Sequence, residues 1–151
     1  MDDIDRKIAG LLADDSRRSL ADIGAAVSLS PSAVNERIRR LVNSGVIERF
    51  TVDVDYRALG YDVLAFVWIA LASDASEAEF RSFMAAHPAV AECHHVTGGW
   101  SYLIKIRVPG LADIETFLSE LKRRRYLARS ETVIALSTAT EKSILAAEMK
   151  A

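Results

Sequence analysis

With 151 residues, half of them hydrophobic, the chain is long enough for one domain or two small ones, each with a real core. A net charge of -2 and a pI near 5.9 exclude recognition of nucleic acid by bulk positive field. Residues 1–50 set eight Lys/Arg against eight Asp/Glu, so an anionic partner has to be met by a local patch. The single cysteine, Cys93, rules out a disulfide framework or a cysteine-based zinc site. No apolar run reaches the ~18 residues of a membrane span, and the acidic start MDDIDRK has no signal core, so a cytoplasmic protein is expected.

Residues 3–15 carry Ile4, Ile8, Leu11 and Leu12 at helical spacing, with Asp2, Asp3 and Asp5 at the positive end of the helix dipole. Ser19 and Asp22 make a capping-box-like start to a second helix, striped by Leu20, Ile23 and Val27, and Ser28–Ser30 forms a tight turn. A third helix follows over LSPSAVNERIRRLVNSG. Ser30 is its N-cap, Pro31 its first residue, Leu29 and Val34 a hydrophobic staple, and Gly45 its left-handed stop. Val34, Ile38, Leu41 and Val42 form its apolar stripe, Ser32, Glu36, Arg39, Arg40 and Asn43 project from the other side, and Asn35 and Arg37 flank the stripe. Three such helices make a module of about 45 residues whose core is thin. Two short helices joined by a three-residue turn, the second polar and basic at its start, form a helix-turn-helix, and the partner expected is double-stranded DNA. Contacts to phosphates or base edges are expected from Ser30, Ser32, Glu36, Arg39 and Arg40, with Arg37 either joining them or serving structure.

The run VIERFTVDV alternates closer to period two than to 3.6 and is expected to be a strand, followed by the turn-rich connector 55–60. The expected domains are therefore residues 1–45, a strand linker 46–60, and residues 61–151. In the last of these, Val63–Ala72 is a strand apolar on both sides, with Leu64, Phe66, Trp68 and Ala70 opposite Val63, Ala65, Val67, Ile69 and Leu71. Residues 76–86 form a helix, Val90–Thr97 a second strand, Gly98-Gly99 a hairpin turn, and Tyr102–Val108 a third strand. Ile114, Phe117, Leu118 and Leu121 stripe a second helix, Thr132–Ala139 is a fourth strand, and Ile144, Leu145 and Met149 mark a helical tail.

The fold class expected is α+β: a winged-type helix-turn-helix domain, then a βαββαβ ferredoxin-like domain with two helices on one face of an antiparallel sheet. The bare face, carrying Phe66 and Trp68, is of a kind that monomers seldom expose, so self-association is expected.

The hairpin Thr97, Gly98, Gly99, Trp100, Ser101 and Tyr102 has two readings. Its glycines allow backbone N–H groups close to a ligand carboxylate, with Trp100 as an apolar wall and the Ser101 hydroxyl as a neutral partner. Equally, Gly-Gly is ordinary turn chemistry and Trp100 a packing residue. His94 and His95, adjacent on a strand, point to opposite faces and cannot chelate one metal together, and no metal or cofactor is expected. The sequence shows neither paired carboxylates, nor a nucleophile with its base, nor a phosphate-cradling loop, so no enzyme is expected.

The opening DDIDRKIAGLLADDSRRSLADIGAAVSLSPSAVNERIRRLVNSGVIERF, with its Asp-x-Ile-Asp start, Leu-Ser-Pro turn and Gly-Val-Ile ending, resembles the Lrp/AsnC family, the feast/famine regulators. A further match is ECHHVTGGWSYLIKIRV. The resemblance implies a sequence-specific DNA-binding transcription regulator whose second domain forms dimers, often octamers, and commonly holds a small amino acid between subunits. The family's frequent Asp after the hairpin aromatic is Ser101 here, which removes a counter-charge for an effector's ammonium. The run Lys122–Arg125 replaces a shorter, proline-containing approach to the last strand, and it suits a helix C-terminus. The rival readings are an effector-independent architectural DNA-binding protein and a sirohaem-type decarboxylase. The Gly-aromatic-x-x-Asn-x-Met pattern such enzymes resemble is absent, since Leu103-Ile104-Lys105 occupies that place.

Overall fold

The computed structural model describes residues 1–141; the expected helical tail at Ile144–Met149 lies outside them. The chain divides into two compact units, Met1–Asp53 and Val54–Thr138.

The first unit holds α1 (Asp3–Asp14), α2 (Leu20–Val27) and α3 (Pro31–Asn43). Ile8, Ile23 and Val34, one from each helix, are fully buried, and Leu11, Leu12 and Leu41 complete the core, with Leu29 and Ile38 packed at its margin. Val42 and Leu20, expected on apolar stripes, are instead exposed. A core supplied by three short helices closes around a few side chains, and the edge of each stripe is left in solvent.

Each helix start matches its sequence signal. Asp2 and Asp5 form a reciprocal capping box, and the Ser19 and Ser30 hydroxyls accept from the Asp22 and Ala33 amides. Ser28, at φ 57°, is the left-handed residue that ends α2. At Gly24 a Cβ would stand 2.5 Å from the Leu29 carbonyl oxygen, so this turn admits no side chain there. After α3, Gly45 (φ +75°) reverses the chain and the Ile47 amide donates to the Leu41 carbonyl.

The strand expected over 46–54 does not form. This stretch has no ladder partner among the described residues and runs on in irregular backbone with Phe50, Val52 and Val54 exposed. Alternation of apolar residues supplies the faces of a strand but not a neighbour to hydrogen-bond.

The second unit is β1 (Val63–Leu71), α4 (Glu77–Ala86), β2 (Val90–His95), β3 (Tyr102–Val108), α5 (Leu111–Arg123) and β4 (Leu127–Ile134), the expected βαββαβ order. The four strands form one sheet in the order β2-β3-β1-β4, with every pairing antiparallel. β4 lies five residues before its expected span because its register is set by β1, which it faces from Leu71↔Leu127 to Ala65↔Ile134. β2 stops at His95, where the hairpin closes through the Val96 amide and the Ser101 carbonyl.

Ala65, Val67, Ile69, Ile104 and Ile106 face the helices and meet Phe80, Met84, Ile114, Phe117 and Leu121 in the core. Leu64, Phe66, Trp68 and Ala70 line the other face, opposite Arg107, Lys105 and Leu103 of β3 and Val133, Glu131 and Arg129 of β4. That face is mixed rather than continuously apolar. Lys105 Nζ donates to Glu92, which also bonds His94, the Arg107 guanidinium lies 4.3 Å from the Tyr56 ring centre, and Arg129 lies over Trp100. No helix among the described residues is long and apolar enough to cross a membrane.

Candidate nucleic-acid interface and hairpin site

The N-terminal half of α3 is polar and open. Ser30, Ser32, Glu36, Arg39 and Arg40 are all exposed. Ser30 Oγ lies 3.0 Å from Ser32 Oγ, so the two hydroxyls sit side by side at the helix start, where unpaired backbone donors and the dipole favour an anion. Neither Glu36 nor Arg39 has a partner among the described residues. Arg40 reaches Asp5 at 3.4 Å with 60% of its side chain exposed, a contact weak enough to exchange for another anion.

Arg37 is placed differently. Its Nη1 donates to Asp2 Oδ2 and Asp5 Oδ1, each at 2.7 Å, with only 23% of the side chain exposed. Asp2 and Asp5 are also the two halves of the α1 capping box, so one guanidinium ties the start of α1 to the middle of α3. Arg37 therefore stands apart from the other expected contact residues. Its hydrogen bonds hold both carboxyls below the usual carboxylate range, and the same bonds push its own pKa up. The acid cluster at the chain start gave the only hint of this clamp, and spacing alone assigned it to the dipole.

The hairpin residues are not gathered around one space. The Trp100 ring lies on the open face, 6.4 Å from Trp68, with the Arg129 guanidinium 4.0 Å from its centre. The Tyr102 ring lies on the helix face against Phe80, and its hydroxyl donates to Glu77 Oε1 at 2.5 Å. Burial first, and that bond second, push the Tyr102 phenol up to about 12. The Ser101 hydroxyl accepts from the Leu71 amide, and the Ser101 amide donates to the Ile69 carbonyl at 2.7 Å. Ser101 thus sews the hairpin to β1. Thr97, Gly98 (φ +99°) and Gly99 remain exposed, with the Gly99 carbonyl accepting from Arg129 at 2.8 Å. Arg129 was not among the expected site residues, because only the β1–β4 register brings it to the hairpin.

His94 and His95 point to opposite faces, as strand alternation requires, the first to Glu92 and the second stacked on Tyr102. Among the described residues no three His, Cys, Asp or Glu side chains are grouped to hold a metal ion.

Residues 1–42 match the AsnC-type helix-turn-helix domain and residues 64–145 the Lrp/AsnC ligand-binding domain. The chain belongs to the Lrp/AsnC family. As an Lrp/AsnC member it is 33% identical to the HTH-type transcriptional regulator FL11 of Pyrococcus horikoshii, over 93% of each chain. The solved structure of Bacillus subtilis LrpC is 30% identical, covers 94% of this chain and 99% of its own, and superposes with a TM-score of 0.83. The leucine response regulatory protein LrpA of Mycobacterium tuberculosis is 29% identical over 93% and 96% of the two chains, with a TM-score of 0.82. The Lrp/AsnC chain is accordingly a DNA-binding transcriptional regulator with a ligand-binding domain.

Proposed function

We propose that this regulator acts as a dimer that lays one α3 per subunit into successive major grooves, about 34 Å apart, on a palindromic site. The observation that carries this reading is the division of labour on α3: Arg37 is spent on fixing the helix, while Ser30, Ser32, Glu36, Arg39 and Arg40 stay open on its exposed side. Arg39 and Arg40 bind phosphate or guanine, the two serines bond phosphates or base edges, and Glu36 accepts from cytosine or repels wrong sequences. Dimers form through the open sheet face around Trp68, and octamers follow by family likeness.

The ligand is a small amino acid with an apolar side chain, held at the Thr97–Tyr102 hairpin between subunits. The regulator from Mycobacterium tuberculosis is named for its response to leucine. Here the Ser101 oxygen already accepts from the Leu71 amide, so the contacts left to a ligand are the Ser101 O–H donor, the Thr97 hydroxyl, the Gly98 and Gly99 backbone and the Trp100 ring. With Ser101 where the family often has Asp, the ammonium needs backbone carbonyls or a carboxylate of the adjacent subunit.

The test is thermal-shift screening of the twenty amino acids, then calorimetry on Gly99→Ala. The added Cβ meets nothing closer than Arg129 Nη2 at 3.8 Å, so this variant keeps its fold. Stabilisation scales as RT ln(1 + [L]/Kd), about 2.7 kcal/mol at a hundred times Kd. If no amino acid raises the melting temperature at millimolar concentration, the protein is an effector-independent architectural DNA-binding protein; a shift unchanged in Gly99→Ala moves the site elsewhere.

A further inference from the structure

Between α4 and the edge strand β2, on the helix side of the sheet, lies a cleft of about 310 Å³ that none of the hairpin chemistry uses. Arg81 and His95 stand at its polar walls, Ala85 and Val90 supply apolar surface, Cys93 opens onto it, and Met84 and Tyr102 line it as buried walls. Its volume is at the small end of the range for ligand sites.

The polar groups here are without partners that their neighbours could have given. Glu77, four residues before Arg81 and so its natural helical partner, accepts instead from the Tyr102 hydroxyl. Glu92 also borders the cleft, but its two oxygens are taken by Lys105 and His94, each at 3.0 Å. Among the described residues the Arg81 guanidinium, the His95 ring nitrogens and the Cys93 thiol therefore have no hydrogen-bond or ion-pair partner. His95 is held in place by stacking on Tyr102 at 5.0 Å.

We propose that this cleft binds a small monocarboxylate with an apolar chain, such as a branched 2-oxo acid, at a site separate from the hairpin. The Arg81 fork takes the carboxylate, His95 donates one further hydrogen bond, and the apolar chain lies on Ala85 and Val90. An α-amino acid suits the cleft poorly. Its ammonium would face an unneutralised guanidinium, with both nearby carboxylates already engaged. The proposal is independent of ligand binding at the hairpin.

The chain has one cysteine, so its alkylation reports on this cleft alone. The probes are 4-methyl-2-oxopentanoate and L-leucine, on the native protein and on Arg81→Gln, an exposed position whose change leaves the core intact. Melting temperature and the rate of Cys93 alkylation by iodoacetamide are read by fluorimetry and intact mass. The oxo acid is expected to raise the melting temperature of the native protein and to slow alkylation about tenfold at ten times its Kd. Arg81→Gln is expected to lose both effects, while any stabilisation by leucine survives in it. No protection of Cys93 at millimolar oxo acid, or protection undiminished in Arg81→Gln, would overturn the site. Protection by leucine as strong as that by the oxo acid would overturn the ligand class. Loss of leucine stabilisation in Gly99→Ala, with Cys93 protection retained, separates this cleft from the hairpin.

Discussion

Arg37 of α3 and Asp5 of α1, thirty-two residues apart in sequence, meet at 2.7 Å, and Asp5 is the buried charged residue of the described chain, 4% exposed. A buried carboxylate persists only where donors replace its lost water, and Arg37 together with the Asp2 amide does that here. The pair ties the start of α1 to the middle of α3, the helix proposed to meet DNA. Arg37→Ala is thus expected to lower the melting temperature and weaken operator binding while leaving the dependence of log K on log salt unchanged. Fluorescence anisotropy at several salt concentrations checks it, and a shallower slope would return Arg37 to the phosphate contacts.

Arg39→Ala has the opposite signature. With no partner for Arg39 among the described residues, its removal should leave stability within about 0.5 kcal/mol of native. It should weaken DNA binding and make the salt slope shallower by about 0.9 for each phosphate that Arg39 neutralises. The same titration series reads both variants.

The Asp2–Arg37–Asp5 cluster also gives the first unit an acid limb. Both carboxyls titrate below their ordinary range when folded, chiefly through hydrogen bonds from Arg37. A depressed folded pKa means stabilisation fully present above the unfolded value, about 3.9, and lost as pH falls through the folded values. Melting curves between about pH 6 and pH 2 should fall more steeply on the acid side for the native protein than for Asp5→Asn. Parallel curves would remove the linkage.

Gly24→Ala should destabilise the helix-turn-helix although alanine is the better helix former. A Cβ at 2.5 Å from the Leu29 carbonyl oxygen cannot be accommodated by a side-chain rotation, because the obstacle is backbone. Overpacking of this kind costs about 1–3 kcal/mol. Urea denaturation measures it, and a gain in stability would show that the turn relaxes.

Trp68→Glu probes the sheet face. Trp68 sits opposite Glu131, so the new carboxylate adds like-charge repulsion to a surface proposed to be buried between subunits. The native chain is expected to sediment as a dimer or larger at micromolar concentration and the variant as a smaller species. A native monomer would dismiss the interface.

Local signals in the sequence determined much of this protein. Ser19 and Ser30 cap helices, Pro31 starts one, Gly45 stops one, and apolar residues at periods of 3.6 and 2 mark the three short helices and the βαββαβ order, because each depends on neighbours within a few residues. The opening and hairpin motifs likewise carried the family. Tertiary structure decided what depends on partners distant in sequence. The alternating run at 46–54 found no neighbouring strand among the described residues, and β4 took its limits from β1 rather than from its own apolar residues. Arg37 was drawn to two aspartates at the chain start, and the Ser101 oxygen accepts from the Leu71 amide. A side chain with several donors satisfies them wherever folding brings an acceptor within about 3 Å, and spacing along the chain does not encode that distance.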